Sequence, residues 1–254
     1  MLITVSEIIR QTLQTYRDNF REIAKYIALS MAGWILLALN AVLSIPFFQN
    51  ILSGVFAIIA IAATQLALIG LFVVVSITMT RVLRKLYRHE TPDTVPNEFK
   101  AAIKVFIPFL IASFLLTLIV LGGSLLLLIP GIIFAIWFYF APLAVIIDNQ
   151  KPLAALKASR NLVVGRFGSV LWNLIAPSVV YIVIFSVCSW IILTPGRYFL
   201  LDSGMISGYW MSLGLMFLFY FLFLPIMTLT PIIVYENLKD TKIKMEPRQV
   251  GINS

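Results

Sequence analysis

Side chains that do chemistry are scarce in this chain. Cys188 is the only cysteine and His89 the only histidine, which removes at once an intramolecular disulfide, a cysteine-based metal site, a His-rich zinc site and a His-dependent hydrolase triad. No G-x-x-x-x-G-K-[ST] and no G-x-G-x-x-G occurs, so nucleotide binding has no motif behind it. Charge is short as well, at 12% Asp, Glu, Lys and Arg against about a quarter in a soluble domain. Stretches at about 24–46, 51–80, 105–123, 131–147, 168–194 and 208–234 hold no Asp, Glu or Arg, and only Lys25 at an edge. Ionisable groups inside spans mark ion and proton pathways, and their lack disfavours an ion-coupled pump. No catalytic residue, metal or cofactor is assigned, and the chain is read as a non-enzyme.

Apolar residues make up 61% of the sequence, and all but the shortest of the six stretches exceed what a hydrocarbon core of ~30 Å requires at 1.5 Å per residue. From Val105 to Ile147 there is no charge, and one helix of that length would be about twice the bilayer thickness. The chain must turn there, and the breakers are Gly122-Gly123 and Pro130-Gly131. Basic residues then fall on one side: Arg10, Arg17, Arg21 and Lys25; Arg81, Arg84, Lys85, Arg88, Lys100 and Lys104; Lys151, Lys157, Arg160 and Arg166; Lys239, Lys242, Lys244 and Arg248. Only Arg197 is left on the other. Loop Lys and Arg set orientation, which predicts an all-α polytopic protein: six transmembrane helices in three hairpins, with both termini cytoplasmic. Residues 1–254 form a single transmembrane domain, with the first apolar run an uncleaved span. The net charge of +8 belongs to this topology signal rather than to nucleic-acid binding, and it implies contact with anionic lipid.

Each hairpin is introduced by an amphipathic segment. In the first, about 5–22, Val5, Ile8, Ile9, Tyr16, Phe20 and Ile23 recur at helical spacing, with Thr4 and Glu7 as a capping box. It is expected either to lie in the interface or to dock under the bundle. The second starts at Thr94 and Pro96, and the third runs from Pro152 through Leu153, Leu156, Val163 and Phe167. Glu90, Asp93 and Glu98 alternate with basic residues and read as a solvated face; His89 reads as a solvated loop residue. Thr194 to Ser207 is expected to be a loop. Asn40, Thr64, Gln65, Asn173 and Thr228 are the polar residues available for an intramembrane groove, interhelical hydrogen bonding being the plainer reading. Pro142 and Pro231 join Pro130 and Gly131 as structural breakers, and each opens a similar run: Ala141-Pro-Leu-Ala-Val-Ile-Ile-Asp-Asn149 and Thr230-Pro-Ile-Ile-Val-Tyr-Glu-Asn237. Such a match suggests parallel repeats.

The stretch Leu128-Ile-Pro-Gly131, with Tyr139-Phe-Ala-Pro142, Asp148, Ala154-Ala-Leu-Lys-Ala-Ser-Arg160, Val164-Gly-Arg-Phe167 and Tyr16-Arg-Asp-Asn-Phe20, resembles the six-helix membrane domain fused to some bacterial glycerophosphoryl diester phosphodiesterases, and related stand-alone inner-membrane proteins. The phosphodiesterase activity belongs to a soluble barrel that this chain lacks, so the resemblance implies no catalytic residue. It implies a bacterial or archaeal plasma membrane and a role in lipid handling, membrane homeostasis or export. The expectation is therefore a protein that interacts with lipid or moves a lipid-like or small hydrophobic solute, with Lys157, Arg160 and Arg166 as head-group ligands. The alternative is a membrane subunit or scaffold that recruits a soluble enzyme or another membrane protein, and a homo-oligomer is left open.

Overall fold

The computed structural model describes residues 3–49, 54–202 and 206–250, which are helical nearly throughout. The elements are α1 (Val5–Asp18), α2 (Phe20–Gln49), α3 (Gly54–Tyr87), α4 (Val95–Leu126), α5 (Leu128–Phe138), α6 (Ala141–Asp148), α7 (Pro152–Val163), α8 (Phe167–Asp202) and α9 (Ile206–Val250). Six segments are long and apolar enough to cross a membrane: Phe20–Leu43, Ile58–Tyr87, Val95–Leu125, Leu128–Asp148, Phe167–Gly196 and Trp210–Ile243. The chain is a multi-pass membrane protein.

The helices run past the apolar stretches because nothing breaks them where charge begins. α3 continues through Arg81, Arg84 and Lys85, and α8 continues through Pro195 to Asp202, so most of the expected Thr194 to Ser207 loop is helix. Residues 203–205, with Asn50 of the first connection, lie outside the described residues. Span four is two helices: α5 ends at Phe138 and Pro142 starts α6 in its first turn. The polar groups at this break are met by Ser159 of α7, whose Oγ accepts from the Phe140 N–H at 3.1 Å and donates to the Trp137 carbonyl at 2.8 Å. Pro130 lies inside α5, one turn beyond the break at Leu127, while Pro231 sits in an uninterrupted α9. The close approach of α4 and α5 needs Gly123 and Gly131: a Cβ on Gly131 would meet Ser124 Oγ at 2.1 Å, and one on Gly123 would meet Phe134 at 2.7 Å.

The three amphipathic segments are built alike. Thr4, Thr94 and Lys151 are N-caps in extended conformation, with ψ of 156°, 147° and 149°. Their carbonyls accept the N–H of Ile8, Glu98 and Ala155, each four residues on. Those residues are buried, and so are Thr12, Ala102 and Ser159 one further turn along. An i, i+4 pair on one helix face is therefore sealed into the bundle three times. The partners rotate in the same sense, α1 packing on α9, the start of α4 on α3, and α7 on α6. The first segment, α1, thus packs under the bundle through Ile8 and Thr12. The capping box does not form, because Thr4 Oγ1 lies against Ser6 and Glu7 turns to Arg10 and Gln11.

Most of the core lies in the half of the bundle nearest these segments, with Ala112, Tyr181, Ser212 and Phe221 buried further along. Its residues include Ile8, Ile23, Tyr26, Ile77, Leu83, Ala102, Phe140, Val145, Val163, Leu229, Ile232 and Tyr235. Further along, Ile35, Leu39, Ile59, Leu66, Phe114, Leu125 and Ile129 are exposed, so that apolar surface is left uncovered by the helices described.

Candidate functional site

The ends of α3, α6 and α9 meet at the charged end of the bundle. Arg81, Arg84, Lys85 and Arg88 follow helical spacing on α3 and so share a face. Arg81 Nη1 donates to the Ile146 carbonyl at 2.7 Å and to Asn149 Oδ1 at 3.3 Å, which ties α3 to the end of α6. Asn149 caps α6 with φ 52°, a left-handed position that Asn tolerates. Arg84 Nε and the Arg88 guanidinium donate to Glu236 of α9, and Arg88 also reaches Asp240 at 2.8 Å. Between α6 and α9, Asp148 accepts from the Tyr235 hydroxyl at 2.6 Å and from Lys239 Nζ at 2.7 Å. Each pair of ends is thus fastened.

Lys85 completes the cluster by donating to Glu98 at 2.6 Å and Asp93 at 2.8 Å. Glu98 and Glu236 are each 1% exposed, which corrects the reading of Glu98 as part of a solvated face. Glu90 and Asp93 do remain exposed, and both take part in ion pairs, with Arg84 and Lys85. The hydrogen bond to Asp240, with that to Glu236, holds the Arg88 guanidinium above its ordinary pKa. Lys85 in turn holds the Asp93 carboxyl below its own. Charges so desolvated persist only when paired.

Several polar clefts flank this junction, among them one of about 490 Å³ lined by Asn19, Glu22, Leu86, His89, Glu90, Thr91 and Pro92. A second, of about 540 Å³, lies between α1 and the end of α3 and is lined by Arg10, Gln11, Gln14, Thr15, Tyr87, Arg88 and His89, among others. A third, of about 250 Å³, lies between α6, α7 and α9 and includes Asp148, Gln150, Ala158, Asn161, Leu162, Tyr235, Lys239 and Lys242. Gln11, Gln14 and Thr15 stand at the same distances from the Thr4 cap as Ala158, Asn161 and Leu162 from the Lys151 cap. These last two clefts therefore occupy equivalent places relative to two of the three helix starts.

Another cleft, of about 340 Å³, is of a different kind. Trp34 of α2 and Met216, Phe217, Tyr220 and Phe221 of α9 line it, with almost no polar surface. Pro225 removes the N–H that would bond the Phe221 carbonyl, and one residue on, the Leu222 carbonyl accepts from the Tyr16 hydroxyl at 2.9 Å. This hydrogen bond ties α1 to α9 one residue beyond the lining of the apolar cleft.

None of the residues anticipated for an intramembrane groove lines any of these clefts. Asn173 Nδ2 donates to the Ile3 carbonyl at 3.0 Å and so anchors the start of α1. Thr64 and Thr228 bond carbonyls of their own helices, and Thr64 is exposed. Asn40 and Gln65 are half-buried on α2 and α3. Of the head-group candidates, Lys157 and Arg160 are exposed, and Arg160 lies over the Trp137 ring at 5.2 Å. Arg166 is half-buried and donates to Thr241 Oγ1 at 3.0 Å, which fixes the α7 to α8 turn to α9. α7 is the expected short helix, but Leu153 is 72% exposed and the buried side is Ala155, Leu156, Ser159, Leu162 and Val163. No protein-family model, curated protein or solved structure matches this chain.

Proposed function

We propose that this protein is a non-enzymatic membrane protein that holds a lipid acyl chain or a small hydrophobic solute in the cleft between α2 and α9. In this reading the junction of helix ends lies at the cytoplasmic face with both termini, and the spans form three hairpins. The carrying observation is the cleft lined by Trp34, Met216, Phe217, Tyr220 and Phe221. Its size falls within the range of about 300–1,000 Å³ typical of ligand sites, and its aromatic lining is the usual one for an apolar ligand. Around it the spans present apolar side chains outward, so a hydrophobic guest can enter sideways from the bilayer. The polar junction supports the same reading, since it holds the helix ends together while the far half of the bundle stays open to lipid. The resemblance to membrane domains fused to glycerophosphoryl diester phosphodiesterases is in keeping with lipid handling.

Native mass spectrometry of the protein released from nanodiscs tests the cleft. One lipid or hydrophobic molecule should remain bound, and Met216→Trp, which fills the space, should remove it while the melting temperature holds. Equal retention by both proteins would sink the proposal. Orientation is tested separately, by cysteines placed at Gln49 and Asp93 in a Cys188→Ala background. Only the first should react with an impermeant thiol reagent added to intact cells.

A further inference from the structure

Every acidic side chain described is already paired with a cation. Glu7, Asp18 and Glu22 pair with Arg10, Arg17 and Lys25 on α1 and the first turn of α2. Glu90, Asp93, Glu98, Glu236 and Asp240 are taken by the basic face of α3, and Asp148 by Lys239. The basic excess of the chain is therefore concentrated elsewhere. Lys100 and Lys104 of α4, and Lys151, Lys157 and Arg160 at and in α7, are exposed and have no carboxylate partner among the described residues. The only acid on these two segments is Glu98, which points inward to Lys85 and Arg81. Three equivalent elements thus differ sharply in charge. α1 is largely neutralised along its own length, and the other two are not.

The sequence puts these cations at the edges of apolar runs, where lipid head groups meet a spanning helix. Lys104 directly precedes the uncharged run that begins at Val105, and Arg160 rests on Trp137 of α5, an aromatic of the kind that marks the interface. Ile103, Ile107 and Leu153, at 56%, 58% and 72% exposed, lie among them. Acyl chains and phosphates can be met by one surface. α4 and α7 pack against each other, and each carries two of the cations one helical turn apart, Lys100 with Lys104 and Lys157 with Arg160.

From this we propose that the α4 to α7 face binds phosphate-bearing anionic phospholipid, and prefers a head group with two phosphates to one with a single phosphate. The two cation pairs on neighbouring helices supply one subsite for each phosphate. Arg166, which bonds Thr241, is not part of the patch; Lys100 and Lys104 are. The inference rests on the lipid-interacting reading above but not on the α2 to α9 cleft.

The test is lipid-exchange affinity of the full chain in nanodiscs, with cardiolipin, phosphatidylglycerol and phosphatidylcholine as probes. Wild type should prefer them in that order. The triple variant Lys100→Gln, Lys104→Gln, Lys157→Gln should lose at least tenfold in cardiolipin affinity relative to phosphatidylcholine, and the loss should shrink in high salt. Lys→Arg changes at the same three positions should keep the preference. The control triple Arg17→Gln, Arg21→Gln, Lys25→Gln removes the same charge from α1 and α2, and should change it less than twofold. Equal losses in both triples would show general attraction of a basic protein to an acidic surface and would overturn the site, as would no loss in either. Binding of phosphatidylcholine in the cleft is read independently through Met216→Trp, so failure of one reading leaves the other standing.

Discussion

Glu236 gives the most direct measure of what the polar junction contributes. Its carboxylate is 1% exposed and accepts from two guanidinium groups, Arg84 and Arg88. Removing one partner of a buried ion pair costs about 3–5 kcal/mol, because the remaining charge stays desolvated. Here the two arginines are 26% and 31% exposed and keep Glu90 and Asp240, so water and second partners soften the loss. Glu236→Ala should then destabilise by about 3 kcal/mol, the low end of that range. Glu236→Gln keeps an acceptor of the same shape and should cost roughly half as much, as a charge-assisted hydrogen bond becomes a neutral one. For a chain of this length 1 kcal/mol corresponds to about 2–4 °C of melting temperature. Thermal unfolding in nanodiscs should therefore rank wild type, Glu236→Gln and Glu236→Ala in that order. The control is Glu90→Ala: Glu90 pairs with the same Arg84 but is 46% exposed, so its loss should cost under about 1 kcal/mol. If Glu90→Ala and Glu236→Ala melt together, burial of the pair is not what holds α3 to α9, and the reasoning fails.

Two further predictions concern the broken span. Nothing lies within 4 Å of a Cβ on Gly122, whereas one on Gly123 would strike Phe134 and the Gly131 backbone; Gly122→Ala should raise the melting temperature through helix propensity worth about 0.8–1 kcal/mol, and Gly123→Ala should lower it. Opposite signs at adjacent glycines are the outcome to look for, and a fall at both would mean that the α4 to α5 packing is not as close as stated. Ser159→Ala should cost about 1–3 kcal/mol by stranding the Phe140 N–H and the Trp137 carbonyl, and hydrogen exchange at Phe140 should quicken more than exchange in the middle of α9.

The spans were legible because charge is missing from them, a signal that depends on composition and not on contacts. Their ends were less so, since α3 and α8 continue as helix where hydropathy falls. Glu98 was misread for a related reason: between Asp93 and Lys100 it sits in a charged stretch, and local alternation cannot show that α3 packs on one side of it. A usable signal existed in the three helix starts, which when aligned place Glu98 with Ile8 and Ala155 at a buried position. The paired Asp148 and Glu236 were visible as the ends of two similar runs, though not their role as anchors for Lys239 and the α3 arginines. Polar residues within the spans carry less information. Thr64 and Thr228 can satisfy their hydroxyls on their own helices, so polarity in a span does not by itself indicate a shared site.

The residue at each of the three equivalent buried positions follows from the helix end against which it packs. α3 arrives with four cations on one face, and burying them requires an anion from the next element, which Glu98 supplies to Lys85. α6 is short and almost wholly apolar apart from Asp148, so α7 can lie directly on it and a small Ala155 suffices. α9 meets α1 with apolar side chains, and Ile8 fills the gap. One backbone arrangement used three times thus accounts for the burial of Glu98 and for the cations left over on α4 and α7. Because Glu98 is drawn inward to α3, the lysines and arginine of α4 and α7 have no carboxylate partner among the described residues, and the surface that they form is open to an external one.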